Sequence, residues 1–125
     1  MPQYIDGFAL PIPRAHLDTY RSVVAAVAEV WREHGALSYQ EFVGDEVSGA
    51  GTGSFVSALR ARPEEAIIFG WVVFPSKAVR DAAGARVAAD PRMEELLAPL
   101  TAGGRDIFDA TRMAYGGFTP LVVSS

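Results

Sequence analysis

From Ile67 to Phe74 the chain reads Ile-Ile-Phe-Gly-Trp-Val-Val-Phe, apolar at both parities and closed by Pro75-Ser76. β-Branched and aromatic residues in so short a run indicate a strand. A strand wetted on one side alternates with polar residues; this one does not, so both of its faces need a cover. The remaining pattern supplies the elements around it.

Gln3 to Ile12 predicts a first strand, with Asp6 the single charge in an otherwise apolar run and Pro11 and Pro13 closing it. From Arg14 to His34 the period changes to that of a helix. Leu17, Tyr20, Val24, Val27 and Trp31 fall three and four apart, Val23 and Val30 widen the stripe, and Gly35 stops it. Leu37 to Val43 alternates as a second strand. Gly44 to Gly53 reads as a loop that includes Gly49-Ala50-Gly51-Thr52-Gly53. It lacks the strand-to-helix context and the Gly-Lys-Ser/Thr ending of a phosphate loop, and reads as a surface connection. Phe55 to Leu59 suggests a short helical turn, and Arg60, Arg62 and Glu64-Glu65 read as solvated, with Pro63 as a breaker.

After the central strand, Ser76 caps a helix through Val79, Ala82, Ala83, Arg86 and Val87. Asp90-Pro91 starts a shorter one carrying Met93, Leu96 and Leu97. Thr101 to Asp109 is a connection. Arg112 to Val123 predicts a last strand, whose Gly116-Gly117 signals a bulge or the close approach of another group.

The order β-α-β, β-α-α-β predicts an α+β, ferredoxin-like fold, a single domain over residues 1–125. Right-handed crossovers put the helices on one face of a four-stranded antiparallel sheet, with the first and third strands in the middle. The helices then cover only one face. Either Ile67, Phe69, Trp71 and Val73 or their opposite-parity neighbours are left in water, and an apolar patch of that size predicts a homodimer, sheet against sheet.

Composition narrows the function. The chain has 125 residues, half of them apolar, a net charge of −4 and no cysteine. The acidic balance argues against nucleic acid and anionic membranes as partners. The lack of cysteine removes disulfides, thiol catalysis and Cys-ligated zinc. With no leader-like or bilayer-length apolar run, cytoplasmic residence is expected.

Four blocks carry a resemblance: Tyr4-Ile5-Asp6-Gly7-Phe8, Trp31-Arg32-Glu33-His34-Gly35-Ala36-Leu37, Phe69-Gly70-Trp71 with Pro75-Ser76, and Arg112 through Phe118. Together they resemble the DUF1428 (YbaA-like) family of uncharacterised proteins, from about Tyr4 to Val123. The resemblance implies a dimeric α/β barrel, in a superfamily that also holds antibiotic-biosynthesis monooxygenases and muconolactone-isomerase-like proteins. It implies no activity for the family itself. The loop Val47–Ser54 is richer in glycine than the family pattern.

No metal-ligand spacing, nucleophile elbow, Walker motif or dinucleotide fingerprint is present, and no cofactor is expected. The candidates for chemistry are polar residues on strands that otherwise want burial: Asp6, Tyr39, Glu41, Arg112 and Tyr115. Trp71, Trp31 and His34 are candidate pocket walls; His34 at a helix end also reads as a cap, and the tryptophans as core or interface. A few polar groups among aromatics is the composition of a small-molecule site. The structural counterpart is a pair such as Asp6 with Arg112, satisfying each other. Two functions follow: a small organic ligand bound between sheet and helices, in a binding protein or a cofactor-independent enzyme, or a dimeric structural or regulatory module without ligand.

Overall fold

The computed structural model describes residues 3–48, 51–101 and 107–124. Four strands, β1 (Tyr4–Pro13), β2 (Ser38–Val43), β3 (Glu65–Phe74) and β4 (Ala114–Phe118), form one antiparallel sheet in the order β2-β3-β1-β4. The helices are α1 (Leu17–Glu33), α2 (Phe55–Ala58), α3 (Lys77–Ala89) and α4 (Arg92–Leu97). The expected α+β, ferredoxin-like order is therefore observed, with β1 and β3 central. The sheet of one chain is open and not closed into a barrel.

β1 runs through Pro11 and ends at Pro13. Along this strand the even-numbered N–H groups face β3, as Arg14 N shows by donating to Glu64 O at 2.9 Å. Pro11 and Pro13 thus lack a donor only on the other side, where β4 has already ended opposite Ala9. β4 is shorter than the sequence pattern implied. Arg112 lies in a 3₁₀ turn, Ala110–Arg112, and pairing stops at Phe118, opposite Ile5 near the start of β1 and just before Thr119-Pro120. Gly116 and Gly117 pair regularly with Gly7 and Asp6 without a bulge. The close approach is real, but it comes from the Tyr4 ring, which occupies the space a Gly117 side chain would need.

α1 opens on a 3₁₀ turn, Arg14–His16, and ends at His34, with Gly35 at φ +125°. Ser76 caps α3 as expected, its Oγ accepting from Val79 N at 3.2 Å. At α4 the capping position is Pro91, and Asp90 contributes by accepting from Arg92 N at 3.0 Å. Tyr20, Val23 and Val27 of α1 and Ala83 of α3 pack on Phe8, Leu10, Ile12, Ile68, Val72 and Phe74. Both long helices thus sit on one sheet face. The parity left open by the sequence is settled: Ile68, Val72 and Phe74 face the helices, while Ile67, Phe69, Trp71 and Val73 face away.

That outer face is covered at one end only. Leu59 and the half-buried Val47, Val56 and Ala61 close over Ala9 and Ile67. Of the expected Gly-rich loop, Gly49 and Ala50 lie outside the described residues, as do positions 102–106 of the connection before β4. Beyond Leu59 the face stays open, with Phe69 45% exposed, Phe42 53% and Phe118 55%.

Candidate functional site

Two rows of residues cross the sheet on the helix side. One runs Glu41, Gly70, Phe8, Tyr115; the next runs Tyr39, Val72, Asp6, Gly117. Strand register alone thus brings four of the five sequence candidates to one surface, and α1 closes over them. Between sheet and helix lies a cavity of about 200 Å³. Asp6, Phe8, Tyr39, Glu41 and Tyr115 line it from the strands, and Tyr20, Val24, Val27 and Trp31 from α1. Leu97, Leu100, Phe108 and Met113 complete the wall, with Leu97 and Tyr115 exposed at its rim.

The centre of its polar chemistry is Glu41. Tyr20 donates to Oε1 at 2.5 Å and Tyr39 to Oε2 at 2.7 Å. Burial pushes the Glu41 carboxyl above the usual carboxylate range, and the two phenol hydrogen bonds pull partly back. Tyr20 and Tyr39 are themselves pushed far above the ordinary phenol, by burial first and then by the adjacent carboxylate. Gly70 makes this packing feasible: a Cβ there would lie 2.8 Å from Phe8 Cζ and 2.9 Å from Glu41 Cγ. Phe8 and Tyr39 rings lie 6.4 Å apart in the cavity wall.

Asp6 is 2% exposed, as a charge in the central strand requires a reason to be. Its partner is Arg80 of α3, with Nη1 2.8 Å from Oδ1, and not the expected Arg112. The same guanidinium donates to Tyr4 Oη at 3.3 Å and to Asp81 Oδ1 at 2.8 Å, and its Cζ sits 4.7 Å from the Tyr4 ring centroid. Tyr115 is pushed up to about 12 by burial and by the neighbouring Asp6 carboxylate.

Arg112 is outside the cavity because β4 starts two residues later than its expected strand. It forms a two-pronged pair with Glu65, Nη1 to Oε1 at 2.6 Å and Nη2 to Oε2 at 2.7 Å, and its Nε donates to Asp109 at 2.8 Å. Glu65, expected to be solvated, is 5% exposed and anchors the start of β3. Of the candidate walls, only Trp31 lines the cavity. Trp71 lies on the outer sheet face, stacked on Phe42 with centroids 5.2 Å apart, and His34 bonds to Asp90 at 2.9 Å.

Sequence reasoning missed Tyr20 and Arg80 as functional groups. Tyr20 was hidden in an apolar helical stripe, where its hydroxyl was the only signal. Arg80 lies in the first turn of a helix that reads for its alanines and valines. Among the described residues, no three His, Cys, Asp or Glu side chains come together as a metal site, and no helix is long and apolar enough to cross a membrane.

Residues 3–102 match the family described as "Protein of unknown function (DUF1428)". The chain is 37% identical over 120 residues to the uncharacterised protein YbaA of Escherichia coli K12, covering 96% of this chain and 97% of YbaA. Its fold is similar to SnoaB, a cofactor-independent oxygenase from Streptomyces nogalater, with a TM-score of 0.56 at 13% identity over 97% of this chain and 95% of that one. It is similar also to a dimeric ferredoxin-like protein from an uncultured marine organism, with a TM-score of 0.55 at 12% identity over 100% and 99%. At such identities the two structures speak for the fold alone.

Proposed function

The chain belongs to the DUF1428 family, and from that footing we propose that it is a homodimeric protein that binds a small organic molecule in the cavity between its sheet and α1. The observation that carries this reading is the cavity itself: about 200 Å³, walled by aromatic and aliphatic side chains, with a Glu41 carboxylate held between two phenols. Ligand sites have this make-up, mostly apolar with a few converging polar groups. A cavity of about 150 Å³ takes a benzene-sized molecule, so this one suits a single substituted ring.

The outer face supports the assembly. Ile5, Phe69, Trp71 and Phe118 line an apolar surface that the long helices leave open, and a second copy related by two-fold symmetry would cover it. Two open sheets packed in this way would make a dimeric barrel. A cofactor-independent enzyme is the extension compatible with the site, with Glu41 as a proton acceptor held at a raised pKa.

The alternative is a dimeric module without ligand. It draws support from the pairing of Asp6 with Arg80 and of Arg112 with Glu65, which gives two of the candidate residues structural work. Native mass spectrometry of protein purified from its own host separates the two. A retained small molecule that is lost on filling the cavity with Val24→Trp supports the binding reading. A dimer of bare mass under conditions that preserve known protein–ligand complexes supports the module.

A further inference from the structure

Among the described residues, buried and half-buried carboxylates are matched with cations, with one exception. Asp6 has Arg80, Glu65 has Arg112, and Asp90 has Arg92 and His34. Glu41 has two neutral phenols and, among the described residues, no cationic partner. A carboxylate has about four acceptor sites, so the two tyrosine bonds leave capacity for more. Arg21 shares an outer cleft with Glu41, but it bonds to Asp18 at 3.0 Å and is turned to solvent.

The walls around Glu41 are aromatic. Phe8, Tyr20, Trp31, Tyr39 and Phe108 line one cavity with it, and no Lys, Arg or His does so among the described residues. Ring faces are electron-rich and attract a cation strongly once water is excluded. A half-buried carboxylate among such rings complements a positive charge, and it repels a negative one. On the basis of the small-molecule reading above, we infer that this cavity selects a small amine: a protonated nitrogen docked on Glu41, with its ring or alkyl body against the aromatic wall.

The other ionisable groups facing the cavity fit this selection. Tyr20 comes from α1 and Tyr39 from β2, and both donate to Glu41. Asp6 from β1 and Tyr115 from β4 stand two strands or more from Glu41, about 10 Å or beyond at the usual strand spacing. Arg80 of α3 is held by Asp6 and Asp81. Arg105, which precedes the lining residue Phe108 in sequence, lies outside the described residues, and the anionic probe below answers for it.

The test titrates the full chain by calorimetry with three isosteric probes at neutral pH: benzylamine, benzyl alcohol and benzoate. Benzylamine is expected to bind about tenfold or more tightly than benzyl alcohol, as a charged hydrogen bond and a cation–π contact together allow. Benzoate is expected not to bind. A second readout is proton release: at mildly acidic pH a docked cation ionises Glu41, so the binding enthalpy will change with the ionisation enthalpy of the buffer. Glu41→Gln should erase the preference for the amine while keeping the affinity for the alcohol. Equal binding of amine and alcohol, binding of benzoate, or a preference that survives Glu41→Gln overturns the selection of an amine and leaves the cavity a ligand site. If none of the three probes binds, the selection of an amine is overturned, and the small-molecule reading turns on the molecule retained in native mass spectrometry. Should Glu41→Gln fail to fold, the probe series and the proton release on the unaltered protein decide alone.

Discussion

Arg80 in the first turn of α3 reaches Asp6 near the start of β1, 74 residues earlier, with Nη1 2.8 Å from Oδ1. The pair is asymmetric. Asp6 has a side chain 3% exposed, whereas Arg80 is 21% exposed and also bonds to Asp81 at 2.8 Å. Removing the arginine strands a buried carboxylate. Removing the carboxylate leaves an arginine that still has Asp81 and water. Arg80→Ala should therefore cost about 3–5 kcal/mol and Asp6→Ala only about 1–2 kcal/mol. In an Asp6→Asn background the Arg80→Ala penalty should shrink to well under half. Urea unfolding of these variants measures this. Equal single-mutant costs with no coupling would show that the two residues do not act as a buried pair.

The sequence made Asp6 legible and its partner illegible, for a physical reason. Burial of Asp6 follows from one charge in an apolar central strand, which periodicity displays directly. The partner depends on how far a long side chain reaches from a neighbouring layer, and no periodicity encodes that. Arg112 was the nearest basic residue along the sheet register, yet a 3₁₀ turn ends just where its strand was expected to begin. The strand order and the helical layer were readable because hydrophobic period and crossover handedness determine them. Glu65 escaped because it follows Glu64 in what reads as a solvated charge run. Its side chain folds back to accept from Arg62 N at 2.7 Å and is capped by Arg112.

Arg112 also sets an acid limit on the fold. Its hydrogen bond holds the Glu65 carboxyl below the usual range. Asp109 is held down to about 2, by the Thr111 hydroxyl first and by Arg112 next. For a depressed carboxyl, the unfolded chain takes up the proton first as pH falls. The stabilisation is therefore complete above the ordinary carboxylate pKa, about 4, and is lost from there down toward pH 2. Asp90, held down by Arg92 and His34, adds to the same slope. The raised Glu41 carboxyl acts in the opposite sense, because the folded chain takes up its proton first, so the urea midpoint should hold or rise slightly as pH falls toward the ordinary carboxylate pKa and drop steeply below about pH 4. Arg112→Gln should lower the midpoint at neutral pH and flatten the fall without abolishing it. A variant whose midpoint runs parallel to the parent throughout the acid range would show that Arg112 does not control these carboxyls.

Trp71 reports on the assembly. It stacks on Phe42 and meets Phe69 edge-on at 5.8 Å, on the face that the helices leave bare. Light scattering at micromolar concentration should give twice the 13.4 kDa chain mass. Phe69→Glu places a charge on a face that a second sheet would desolvate, and should yield monomers without disturbing the core on the helix side. Far-ultraviolet circular dichroism checks that the fold persists. A parent protein that scatters as a monomer would refute the covered face.

Two glycines should respond to alanine with opposite signs. Gly70 sits in β3 between Glu41 and Phe8 in the same cross-strand row, and a Cβ on it would lie 2.6 Å from the Gln40 carbonyl oxygen, 2.8 Å from Phe8 Cζ and 2.9 Å from Glu41 Cγ. The first of these is backbone in the neighbouring strand and cannot rotate aside. The other two are the floor of the cavity. Gly70→Ala must push β2 away or turn Glu41 out of reach of Tyr20 and Tyr39, and should cost about 1–3 kcal/mol, typical of overpacking. Gly84 lies inside α3 on ordinary helical backbone, and a Cβ on it would meet nothing within 4 Å. Gly84→Ala should stabilise the protein by up to about 1 kcal/mol through helix propensity and the narrower freedom of the unfolded chain. Thermal melting of the two variants should thus move in opposite directions. The Gly70 variant should also lose benzyl-probe binding, while the Gly84 variant keeps it. If Gly70→Ala melted with the parent and bound the probes unchanged, the tight packing of Glu41 and Phe8 over Gly70 would not be what shapes the cavity.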